Sequence, residues 1–195
     1  QNTFVGAEAG YGGTTSAPYS SGEDNTAIGY QALTAFTTGD SNIAIGYQAG
    51  YLISSGSNNT LMGYHAGYSL GGTKMNVMIG DYAGALSNTI NNRNVYVGDS
   101  AGRYLDTGIA NVAIGYQAME STSATNQNAS YSTAVGYQAL ESITDGDYNT
   151  AIGQAAAQNL TTGTQNVFIG TSAGNSSVSS LYKMMIGASA GTGDT

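Results

Sequence analysis

The chain has 195 residues, among them 29 glycines, a single proline and no cysteine; charged residues make up 8% and the net charge is −8. So little charge and proline, with abundant Ile, Val, Thr and Tyr, excludes a disordered chain and favours strands, and the missing cysteines exclude disulfides and thiolate sites. The four bases, Lys74, Arg93, Arg103 and Lys183, are too few to follow nucleic-acid phosphates or to hold an anionic membrane surface, and no apolar run reaches the roughly 18 residues of a membrane span.

In chain order the predicted elements are copies of one unit. The first, Asn2-Thr3-Phe4-Val5-Gly6, opens the chain already inside a repeat, without a visible signal peptide, so the sequence reads as a piece of a longer fibre protein. An insertion over Gly12 to Glu23, containing Pro18 and Tyr19, precedes the second unit, Asn25-Thr26-Ala27-Ile28-Gly29-Tyr30-Gln31-Ala32-Leu33. The units anchored on Gly46, Gly63, Gly80, Gly98 and Gly115 follow at spacings of 17 or 18 residues. A second insertion, Ser121 to Tyr131, precedes Gly136, and Gly153, Gly170 and Gly187 complete the series. Three residues after every anchor glycine stands an alanine, as in Ala32, Ala49 and Ala66, and just before it stands Val, Ile or Met, as in Ile28 and Ile45. Asn usually lies four residues before it, as in Asn25, Asn42, Asn59 and Asn111.

A fixed period this short marks a solenoid. It is too short for a helix-pair repeat, and the leucine framework of a leucine-rich repeat is missing. The expected fold is all-β: one parallel β-solenoid, or β-roll, domain over residues 1–195, with about eleven rungs of two short strands and two turns. At about 4.8 Å per rung the rod is on the order of 50 Å long. The anchor glycine points to a position without room for a side chain, or to a positive φ. Stacked in register, the asparagines would form an amide ladder. Side chains alternate along a strand, so the residue before the glycine and the one two earlier share a face, which is expected to line the rung interior. The residue between them, from Phe4 and Ala27 to Met185, is never charged. Its row is expected to need a second cover, supplied by another copy of the chain.

The units Asn25 to Leu33 and Asn42-Ile43-Ala44-Ile45-Gly46-Tyr47-Gln48-Ala49-Gly50 resemble the head repeats of trimeric autotransporter adhesins, and more closely the related repeats of bacteriophage tail fibres. The resemblance covers essentially the whole chain. It implies a left-handed parallel β-roll and a homotrimer about a threefold axis. It also implies a structural and adhesive role: a tail-fibre shaft or receptor-binding region for host attachment on the virion, or a bacterial cell-surface adhesin head, with a host glycan or protein as receptor. The repeat here is a few residues longer than the usual adhesin unit, and no heptad stalk, neck or membrane anchor occurs within these residues. A self-assembling extracellular filament is a further alternative. An ice-binding module fits less well, because the Thr positions alternate with Val, as at Val77, Val95 and Val112.

Chemistry-bearing constellations are sparse. His65, the sole histidine, replaces the Gln of a Tyr-Gln-Ala unit and reads as a variant turn residue. Asp81 and Asp99 replace the usual Tyr in consecutive rungs, about 5 Å apart if the rungs stack; solvated carboxylates are favoured over a cation site. No Gly-Lys-[Ser/Thr] follows the glycine-rich segments, which excludes a P-loop, and one histidine supports no Ser–His–Asp set. No enzyme, metal or cofactor is expected. The candidate partner contacts are Tyr30, Tyr47, Tyr64, Tyr116 and Tyr137, which read first as a stacking ladder that stiffens the rod, together with Pro18 and Tyr19 and the two insertions.

Overall fold

A computed structural model describes residues 1–12, 20–86, 92–121 and 127–192; Pro18, Tyr19 and the middle of both insertions lie outside the described residues. The strands are β1 (Thr3–Val5), β2 (Thr26–Ile28), β3 (Ile43–Ile45), β4 (Thr60–Met62), β5 (Val77–Ile79), β6 (Val95–Val97), β7 (Val112–Ile114), β8 (Thr133–Val135), β9 (Thr150–Ile152), β10 (Val167–Ile169) and β11 (Met184–Ile186). They form one eleven-stranded sheet in strict chain order. Pairing is parallel and matches equivalent positions, for example Ala27 with Ala44 and Tyr96 with Ala113. The chain is therefore a parallel β-solenoid, as the period predicts.

The rung differs from expectation in having one strand rather than two. Outside the sheet, the pairings among the described residues are isolated bridges, Ser57 with Lys74 and Thr164 with Leu181, three residues before β5 and β11. The reason is local. Between β2 and β3, Gln31, Leu33 and Ser41 have φ of 55°, 51° and 56°, and the equivalent residues of other rungs repeat this left-handed conformation. Each such residue bends the chain out of the extended region that a strand requires. The bends still leave amides pointing along the rod axis. Gln31 N–H donates to Ala7 O at 2.9 Å, and Leu33 N–H to Ala49 O at 3.0 Å. Turn backbone that would otherwise need water is thus paired to its neighbouring rungs.

The anchor glycine satisfies both of its sequence readings. At Gly80, φ is 131°, and a Cβ would lie 2.5 Å from Gly98 O in the next rung. No L side chain fits, so rung stacking itself selects glycine.

The core lies behind the strand centres, which reverses the expected assignment of the two faces. Ala27, Ala44, Leu61, Met78, Tyr96, Ala113, Ala134, Ala151 and Phe168 are fully buried within the chain. The flanking strand residues, Ile28 and Ile45 included, point outward. Both rows are apolar, so alternation separates the faces without saying which one the turn encloses; the left-handed residues after the glycine wrap the chain behind the central row. The repeated alanines Ala32, Ala49 and Ala66 are buried there too, in the turn that closes on each anchor glycine rather than in a second strand. A column of Phe36, Ile53, Leu70, Leu105, Ile143 and Leu160 fills the far side. This column repeats in the sequence seven residues after the anchor glycine, a row that was not singled out there.

Side-chain size is balanced inside each rung. A large strand centre is followed six residues later by glycine, as in Leu61 and Gly67, Met78 and Gly84, or Phe168 and Gly174. An alanine centre is often followed instead by a large residue, as in Ala27 and Leu33, Ala113 and Met119, or Ala134 and Leu140. Dense packing of the narrow interior demands this exchange of volume.

Beside this core runs the expected amide ladder. Asn42 Nδ2 donates to Asn25 Oδ1 at 3.0 Å and to Gly56 O at 2.8 Å, while Asn25 Oδ1 also accepts Asn42 N–H at 2.9 Å. The pattern repeats at Asn59 and Asn166. Asn25, Asn42, Asn59, Asn76, Asn94, Asn111, Asn149 and Asn166 are all buried, which they tolerate because their polar atoms are paired along the stack. Ser132 stands in for one asparagine, its Oγ accepting Asn149 N–H at 3.0 Å.

Candidate functional site

The outward surface of the sheet is a continuous apolar strip. The outer residues of β2 to β10 are Thr, Val, Ile or Met, none of them buried and none charged. Ile28 is 38% exposed and Ile152 40%. With eleven strands at about 4.8 Å, the strip covers on the order of 500 Å², toward the upper end of the largest apolar patch that soluble monomers expose.

Two columns border the strip. On the C-terminal side, the residue after each anchor glycine forms the tyrosine ladder. Tyr30 and Tyr47 stack with centroids 5.4 Å apart, Tyr47 and Tyr64 at 5.1 Å, and Tyr116 and Tyr137 at 5.4 Å. The rings stack face on face and stay 39–48% exposed. Tyr51 with Tyr68 and Tyr131 with Tyr148 form further stacks, each at 5.0 Å. Asp81 and Asp99 interrupt the main ladder and are exposed. Asp81 Oδ1 accepts Tyr64 N–H at 3.0 Å and Asp99 Oδ1 accepts the Ser100 hydroxyl at 2.7 Å. Among the described residues no group of three or more His, Cys, Asp or Glu is placed to hold a metal.

One residue further on runs a polar chain. Gln31 Nε2 donates to the Glu8 carboxylate at 2.6 Å, Gln48 Nε2 to Gln31 Oε1 at 2.6 Å, and His65 Nε2 lies 2.7 Å from Gln48 Oε1. The carboxylate can only accept, so it orients every amide after it and makes His65 Nε2 a donor. Burial lowers the His65 pKa below 6.5, and Tyr64 lies against its ring at 4.1 Å. His65 thus serves as a ladder residue in place of glutamine.

A third column combines charge and aromatics. Arg103 lies over the Tyr82 ring at 4.5 Å and 3.8 Å from Glu120. Burial pushes the Glu120 carboxyl above its usual range, against the pull of Arg103, and Glu141 adds to the rise. On the N-terminal side of the strip, Lys74, Met75, Asn92 and Arg93 line a shallow open dent.

The described parts of the insertions are tied into the stack. Ser20 Oγ donates to Phe36 O at 2.9 Å, and Ser121 Oγ to Ile143 O at 2.8 Å. The outward strip and its basic border were not singled out in the sequence. The period exposes the uncharged rows, but their outward direction comes from the turns.

No protein-family model matches the chain, and no curated protein or solved structure does either. The fold defines its class: a parallel β-solenoid repeat protein.

Proposed function

We propose that this chain is a structural and adhesive fibre segment in which copies associate side by side through the outward sheet face, as a homotrimer. The observation that carries this reading is the uncharged apolar strip running the length of the rod. Sequence repetition has kept it apolar in every rung, although the interior needs only the central row. A surface repeating every rung is complementary to another surface of the same repeat, which a second copy provides. Association would remove the apolar area from water and join stiff rods into a shaft.

The resemblance of the Tyr-Gln-Ala units to tail-fibre repeats favours a virion tail fibre that attaches to a host. An adhesin head on a bacterial surface would use the same architecture. In either setting repeated weak contacts along the rod are multiplied by avidity.

Light scattering at several concentrations tests the assembly. A stable trimer is expected, and Val97→Lys, which places a charge on the outward face of β6, is expected to give a folded monomer. A wild-type monomer would overturn the reading, and open-ended growth with concentration would favour a filament.

A further inference from the structure

We infer that Lys74 and Arg93 of one chain meet Asp81 and Asp99 of the neighbouring chain, and that these charges set the register and parallel sense of the assembly. This rests on the outward sheet face being the contact between copies.

The apolar strip cannot fix register alone. Its rows repeat at every rung, so a slip of about 4.8 Å sets like against like. Repetitive faces of this kind need another device to choose one alignment. The two rungs of β5 and β6 carry one. Each has a base before its strand, Lys74 or Arg93, and an acid after it, Asp81 or Asp99. Asp99 stacks on Asp81, while Arg93 stacks on Met75, one position nearer the strand than Lys74, so the two bases lie on adjoining rungs around one dent. Arg93 N–H donates to Lys74 O at 3.2 Å, and Ser100 N–H, next to Asp99, donates to Asp81 O at 2.8 Å. The bases therefore sit at the same axial level as the acids, on opposite borders of the strip.

Cyclic symmetry does the rest. When parallel copies surround an axis, the N-terminal border of one face meets the C-terminal border of the next. In register, bases face acids at both rungs. An antiparallel pair would bring like borders together instead. A slip of three rungs one way would set Asp81 level with Asp24 and Asp99 level with Asp40. A slip of four rungs the other way would set Asp81 level with Asp147. Each such like-charge meeting is unfavourable. The pairing also fits the free chain, where all four side chains are exposed. The ion pairs among the described residues are those of the N-terminus with Asp24 and of Arg103 with Glu120.

The test uses the intact chain. Lys74 and Lys183 are its only lysines, so a water-soluble carbodiimide, which joins touching amines and carboxylates without a spacer, reads the contact directly. The expected product is an amide from Lys74 to Asp81 or Asp99, linking chains on a denaturing gel and located by peptide mass. Lys74→Glu with Arg93→Glu should weaken association at least about ten-fold while leaving the circular dichroism of the chain unchanged. Adding Asp81→Lys and Asp99→Lys should restore it. A wild-type trimer whose Lys74 gives no such link, or whose swapped variant stays dissociated, overturns the register device and leaves the assembly standing. A wild-type monomer overturns both.

Discussion

A methyl group on Gly102 would lie 2.5 Å from the ring carbons of Tyr96 in the same rung. Tyr96 is fully buried, and its ring occupies the volume that Leu33 or Leu140 fills in rungs with an alanine centre. The backbone does not forbid a side chain at Gly102, whose φ of 61° is close to the 51° of Leu33. Tyr96→Ala is expected to lose about 3–5 kcal/mol, and Gly102→Leu about 3 kcal/mol from overpacking. The double variant should recover to within roughly 1.5 kcal/mol of wild type, because it conserves volume. Denaturant midpoints of the four proteins decide it; losses that simply add would refute the exchange.

Asn59 is the most informative rung of the amide ladder. Its Oδ1 accepts both Asn76 N–H at 3.1 Å and Asn76 Nδ2 at 3.0 Å, and its Nδ2 donates to Thr73 O at 2.9 Å. Asn59→Ala strands several buried groups and is expected to cost about 2–4 kcal/mol. Asn59→Ser keeps one acceptor, as Ser132 does, and should cost about half as much. Equal losses from the two substitutions would show that the ladder acts by shape alone.

Gly80 and Gly187 separate two demands on one position. Both have positive φ, 131° and 128°, but a Cβ on Gly187 meets nothing within 4 Å. Gly187→Ala should therefore cost only the backbone strain, about 1–3 kcal/mol. Gly80→Ala also drives a methyl into the Gly98 carbonyl and should exceed about 4 kcal/mol. Thermal unfolding of the two variants gives the comparison, and similar losses would assign the whole effect to φ.

His65 gives the rod a small acid sensitivity. Burial lowers its pKa from 6.5, so the folded chain takes up the proton less readily than the unfolded one. The stability tied to the neutral ring is present above pH 6.5 and is lost as the pH falls through that value toward the folded-state pKa. His65→Gln, which restores the common Tyr-Gln-Ala unit, should leave neutral stability within about 0.5 kcal/mol and remove this part of the acid slope. Unfolding midpoints across pH 7 to 5 measure it, and an unchanged slope would remove His65 as the cause.

The 17-residue period, the invariant glycine and alanine, and the recurring asparagine determined by themselves that the rungs stack in parallel, because each is a demand one rung makes on the next. The glycine is selected by the carbonyl above it, and the asparagine by the amide above it. The size exchange between Tyr96 and Gly102 recurs in the sequence at a fixed offset of six residues, but only the fold shows that these positions share one interior. Which face of the strand is inside was decided only by the tertiary structure. Ala27 and Ile28 are both apolar, and alternation carries no sign. The left-handed turns at Gln31 and Leu33 wrap the chain behind Ala27, leaving Ile28 outside.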